Sequence, residues 1–103
     1  MAKTNIHSHL AKMLGTYVLE SRIEKNILQC DLAKNLKMSG QFLGRIERGE
    51  VMIPNHALIK AVQILNLQEE HLNKIYRIAG ELQVKSLFAV GNKGAKAKRY
   101  GLA

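Results

Sequence analysis

The chain has 103 residues and carries 16 Lys and Arg against 8 Asp and Glu, a formal net charge of +8. Its length fits one domain with a single buried core, which excludes a need for disulfides or a structural metal. The charge points to a polyanionic partner, nucleic acid or an anionic membrane surface, and no run is long and apolar enough to span a bilayer.

Residues 1–7 are polar and read as a loose N-terminal arm. Ser8 is placed to cap a first helix, in which Leu10, Leu14, Val18 and Ser21–Arg22 recur at helical spacing. Asn26 is expected to end it, because asparagine tolerates the left-handed conformation that closes many helices. A short second helix follows from Gln29 to Leu36, with Leu32, Ala33 and Leu36 on one face. Ser39 is a good cap for a third helix from Gly40 to Arg48, where Phe42, Leu43 and Ile46 face inward and Gly49 fits the position just past the end. Pro54 holds Ile53 extended. Asn55 is read as the cap of a fourth helix that runs to Leu65, with Leu58, Ala61, Val62 and Leu65 as its stripe. A fifth helix is expected from Gln68 to Ala79, with Leu72, Ile75, Tyr76 and Ala79 inward and Glu69 and Glu70 at its positive end. Gly80 is expected to break or loosen it.

Residues 81–90 fit two patterns. Val84, Leu87 and Phe88 suit a helical face, while Leu82, Val84, Phe88 and Val90 suit an alternating strand, and the reading leans to helix. Residues 91–103 carry Lys93, Lys96, Lys98 and Arg99 and no acid, so half of the net charge sits in what reads as a flexible basic tail.

Within residues 27–49 two short helices are separated by three residues, Lys37-Met38-Ser39, so they must cross steeply, and the small Ala33 allows close approach. The pair cannot bury its apolar faces alone, and the first, fourth and fifth helices supply the rest of the core. Gln29, Leu32-Ala33, Leu36, Ser39, Phe42-Leu43 and the closing run Arg45-Ile46-Glu47-Arg48-Gly49 together resemble the Cro/cI-type (Xre-like) helix-turn-helix of phage repressors and bacterial regulators, over roughly residues 10–80. The resemblance implies an all-α, compact five-helix, lambda-repressor-like domain over residues 8–80. Residues 81–90 would then be a dimerisation or partner-binding extension, followed by the basic tail.

The third helix would lie in the major groove of double-stranded DNA and present its N-terminal half to base edges. Gln41 and Arg45 are four apart and share one face, suited to adenine and guanine respectively. Ser39 is placed for a phosphate or base near the helix start. The resemblance gives Gln29 a grip on a backbone phosphate at the start of the second helix. Gly40 and Gly44 stand where relatives often carry longer polar side chains, and either let the backbone approach the bases or read nothing. Lys37, Arg48, Asn55, Lys93, Lys96, Lys98 and Arg99 are further candidates for phosphate contacts, those of the tail through nonspecific binding or as an arm. Glu50-Val51-Met52-Ile53 replaces a loop that is basic in many relatives, so phosphate grip is expected to be weaker there, and Val51 to Ile53 are open to a second subunit. In the family the residues matching Arg22 and Glu47 commonly pair, so these two are expected to form a structural ion pair. Lys37 stands at a turn position often held by glycine.

The His7-x-His9 pair, with His56 and His71 far off in sequence, lacks the ligand set of a metal site, and Cys30 lacks a base, so neither a metal, a cofactor nor an enzyme is expected. The lone cysteine fits a reducing compartment, and no apolar signal core follows Met1-Ala2-Lys3-Thr4-Asn5, so a cytoplasmic, nucleoid-associated protein of bacterial or phage origin is expected, without membrane contact. The expected function is sequence-specific regulation of transcription by a homodimer, in the repressing sense. Two alternatives stay open: an antitoxin that binds a toxin and represses its own operon, and a protein-interaction module without specific DNA binding.

Overall fold

The computed structural model describes residues 6–94. Among them are five helices and no strand: α1 (Ile6–Glu24), α2 (Gln29–Asn35), α3 (Gly40–Glu47), α4 (Asn55–Leu65) and α5 (Glu69–Gly94). None of them is long and apolar enough to cross a membrane.

The apolar stripes set the packing. Leu10, Leu14 and Val18 of α1 are buried with Leu32, Ala33, Leu36, Leu43, Ile46, Ala57, Ala61, Leu65, Ile75 and Ala79 in one core. α1 is the central member: it packs against α3, α4 and α5, while α2 rests on α3. Gly15 makes the α1–α3 approach possible, since a Cβ there would collide with the backbone carbonyl of Ile46. Tyr17 ties α1 to the start of α5: its hydroxyl accepts the Gln68 backbone N–H at 2.9 Å, and its ring lies 4.0 Å from that of His71.

One device closes α1 to α4. Asn26, Lys37, Gly49 and Asn66 all take positive φ, at 57°, 57°, 78° and 56°. The residue after each donates its N–H back to the last turn: Ile27 to Arg22 at 3.1 Å, Met38 to Ala33 at 3.0 Å, Glu50 to Arg45 at 2.9 Å and Leu67 to Val62 at 3.1 Å. These bonds satisfy carbonyls that would otherwise have no intrahelical partner. Lys37 adopts the left-handed conformation without the freedom of glycine, at a cost on the order of 1 kcal/mol.

Helix starts depart from the sequence reading more than helix ends. Among the described residues α1 is helical from Ile6, so Ser8 lies within the helix and is not the cap, and Ile6 and His7 leave the loose arm for the helix. No breaker stands before Ser8 to stop the helix there. The residue at the cap position of α4 is Pro54, with φ −63° and ψ 146°, and its carbonyl accepts the N–H groups of Ala57 and Leu58. Asn55 is therefore the first helical residue and not the cap.

The largest departure is α5, a single helix of 26 residues that passes through Gly80. One glycine costs a helix interior about 1 kcal/mol, and the buried Ile75 and Ala79 on one side and the helix-forming Glu81-Leu82-Gln83 on the other outweigh it. Residues 81–90 are thus helix and not strand, and 91–94, including the Lys93 position, continue it. Tyr76 is 47% exposed, because it sits beside the inward stripe of Leu72, Ile75 and Ala79 and not on it. Residues 1–5 of the arm, and Lys96, Lys98 and Arg99 of the tail, lie outside the described residues.

Candidate functional site

α3 has two faces with different fates. Ser39 starts the helix: its Oγ accepts the Phe42 backbone N–H at 3.0 Å, which satisfies one of the unpaired donors of the first turn. From that start, Leu43, Gly44, Ile46 and Glu47 are buried and Gln41, Arg45 and Arg48 are exposed.

The inward face is locked by charge as well as by packing. Arg22 of α1 grips Glu47 with both ends of its fork, Nε to Oε2 at 2.7 Å and Nη2 to Oε1 at 3.1 Å. Its Nη1 donates to the carbonyl of Ile27 at 2.9 Å. Gln29 of α2 completes the cluster, its Nε2 donating to Glu47 Oε1 at 2.9 Å. The Arg22 side chain is 13% exposed and that of Glu47 3%, so three elements share one nearly dry charge cluster. The expected pair of Arg22 and Glu47 is present in the geometry, and the Gln29 bond to it is an addition that sequence reasoning missed. No local pattern connects residues 18 apart.

The outward face forms an open groove of about 460 Å³, lined by Gln29, Gly40, Gln41, Gly44, Arg45 and Arg48. Five of the six residues read from sequence as the recognition surface therefore meet in one concavity, and Arg48 joins them. The sixth, Ser39, does not line the groove and uses its oxygen to cap α3, which leaves its O–H able to donate. Lys37 and Asn55 are exposed but also outside the lining, Lys37 in the turn between α2 and α3 and Asn55 in the first turn of α4. The two glycines differ. A Cβ at Gly40 would meet nothing within 4 Å, whereas one at Gly44 would stand 3.3 Å from Arg48 Nη1 and 3.5 Å from Gln29 Nε2. Gly44 makes room for those two side chains to lie across the helix.

Glu50 guards the edge of this groove. Gly49, in the left-handed conformation, turns the chain back on α3, and Glu50 follows it. Its carboxylate accepts from Arg48 Nε at 2.8 Å and Nη2 at 3.5 Å, and lies 3.5 Å from Arg45 Nε. The hydrogen bond from Arg48 holds the Glu50 carboxyl below its usual range, and the same bond raises the Arg48 guanidinium further. Both arginines of the groove thus share one counter-charge, which the sequence reading treats only as an acid where a base is usual.

The groove offers guanidinium and amide donors to an acceptor-rich, anionic ligand. Among the described residues no group of three or more His, Cys, Asp or Glu is arranged to hold a metal ion. Cys30 is exposed near the start of α2, its Sγ 3.9 Å from Asp31 Oδ1. A comparison of the chain with protein-family models, with curated proteins and with solved structures gives no match.

Proposed function

We propose that the chain is a sequence-specific double-stranded DNA-binding protein of the Cro/cI-type helix-turn-helix kind, that α3 is its recognition helix, and that it regulates transcription, as a repressor. The observation that carries this reading is the groove. Gln41 and Arg45 stand on the exposed face of a short helix whose opposite face is fixed to α1 through Glu47 and Gly15. A reader of base edges needs that combination of exposed bidentate donors and a rigid mount. In this reading Gln41 takes adenine and Arg45 guanine, while Gln29, Ser39 and Arg48 serve the backbone. Lys37, Asn55 and the basic tail add phosphate contacts outside the groove. Neither an enzymatic step nor a cofactor enters the proposal, and the site of action is the cytoplasm, at the nucleoid.

The acting unit is a homodimer joined through α5. Beyond the core this helix exposes Tyr76, Val84, Leu87 and Phe88, and an open groove of about 610 Å³ is lined by Tyr76, Arg77, Gly80, Glu81, Val84 and Lys85. The opposite charges of Arg77 and Glu81 on one face suit a two-fold partner. The same face supports the antitoxin reading, with a toxin as occupant. Sedimentation of the chain alone and with a bound duplex separates these. Homodimers that place two chains on one duplex, with half-sites about 34 Å apart, are expected. Monomers that bind one per duplex contradict the dimer, and a chain that dimerises only with a second protein favours the antitoxin.

A further inference from the structure

Among the described residues, Glu50 is the acid that meets both arginines of the recognition groove. Its two oxygens occupy the donor fork of Arg48, and one of them also faces Arg45 Nε. A carboxylate in that geometry presents to guanidinium what a phosphate oxygen or the acceptor edge of guanine would present. The three side chains remain about half exposed, at 53%, 61% and 47% for Arg45, Arg48 and Glu50, so an incoming ligand reaches them directly. An exposed ion pair is weak enough to be exchanged.

We propose that Glu50 is an intramolecular competitor of DNA: in the free protein it holds Arg45 and Arg48, and DNA binding exchanges its carboxylate for phosphate and base acceptors. This rests on the DNA-binding reading of the groove. The consequence is a protein whose high net charge does not translate fully into indiscriminate binding, because Arg45 and Arg48 of the groove already share the counter-charge of Glu50, which offsets one of their two positive charges. DNA supplies the replacing acceptors, and Glu50 is released into solvent.

The test is Glu50→Gln, which keeps the shape and removes the charge, compared with wild type, Arg48→Ala, Arg45→Ala and the corresponding double variants. On duplex DNA of unrelated sequence Glu50→Gln is expected to bind roughly tenfold tighter at low salt, and its plot of log affinity against log salt to steepen by about one to two, the contribution of one or two further phosphate contacts. The gain is expected to shrink when Arg48 or Arg45 is absent. A gain that persists in the double variants is general charge repulsion and overturns the proposal, as does unchanged or weaker binding by Glu50→Gln. Inorganic tripolyphosphate, followed by the NMR signals of the Arg45 and Arg48 Nε–H groups, gives a second reading without DNA. Tighter tripolyphosphate binding by Glu50→Gln at those groups, in a chain that selects no DNA sequence, would keep the competitor and sink the DNA reading. No change with either ligand sinks the competitor whatever the wild type selects.

Discussion

Three positions apart at the end of α3, Glu47 and Glu50 are both held by arginine, and the two pairs work in opposite directions. Glu47 faces inward, its side chain 3% exposed, and receives Arg22 and Gln29 from two other helices. Glu50 faces outward, its side chain 47% exposed, and receives Arg45 of α3 and Arg48, the residue that caps its end. The inner pair joins separate elements and fixes where α3 sits. The outer pair joins neighbours along the chain and fixes nothing distant, so it is free to be exchanged for a ligand. A contact's place in the fold therefore decides whether its loss is read in stability or in binding.

Substitutions on the two faces separate these roles. The largest expected effect is on the inner face. Glu47→Ala leaves a nearly buried guanidinium without its carboxylate and should cost about 3–5 kcal/mol in urea or thermal unfolding. A fully stable variant would break the comparison. Gly15→Ala forces a methyl into the Ile46 carbonyl and should destabilise by about 1–3 kcal/mol. Gly40→Ala, with open space around it, should leave stability unchanged or raised, which makes the pair of glycines a second form of the same contrast.

On the outer face Arg45→Ala should weaken binding to a selected DNA site by about 1–3 kcal/mol, roughly 5- to 150-fold, while the melting temperature stays put. A drop in melting temperature would show that the outer arginines brace the fold after all. Lys37→Gly should raise stability by about 1 kcal/mol, by relieving a left-handed lysine. The smallest effect is on pH. Because Arg48 lowers the Glu50 pKa, the outer pair stabilises the folded chain above the usual carboxylate range, and that contribution is lost as pH falls through the lowered value. Acid unfolding curves of wild type and Glu50→Gln should diverge only slightly, and toward neutral pH.

Much of this contrast is legible in the sequence because it is local. The cap at Ser39, the inward Leu43 and Ile46, and the exposed Gln41 and Arg45 all follow from spacing within ten residues. The left-handed ends at Asn26 and Gly49 follow from residue type. The Arg22–Glu47 pair is expected only through the family resemblance, since no spacing rule joins positions 25 apart. What stays hidden depends on tertiary contact or on competing small terms. Gly15 enters none of the expectations from sequence, because its part appears only where α3 crosses it, though its place one turn after the small Ala11 is a signal of close approach. The grip of Glu50 depends on the turn at Gly49. Gly80 looks like a stop because propensity is judged residue by residue, whereas the helix is held by its flanks. Ser8 and Asn55 look like caps because both have capping side chains, but α1 is already helical before Ser8 and the chain enters α4 at Pro54.

The claim that the outer face of α3 reads DNA is tested most directly by selection from random-sequence duplex DNA, with wild type and the Gln41→Ala/Arg45→Ala variant at two salt concentrations. The account predicts an enriched two-fold symmetric sequence for wild type that disappears in the variant. Equal enrichment in both proteins, or weak salt-sensitive binding without enrichment in either, would contradict it and leave the basic charge alone as the source of binding.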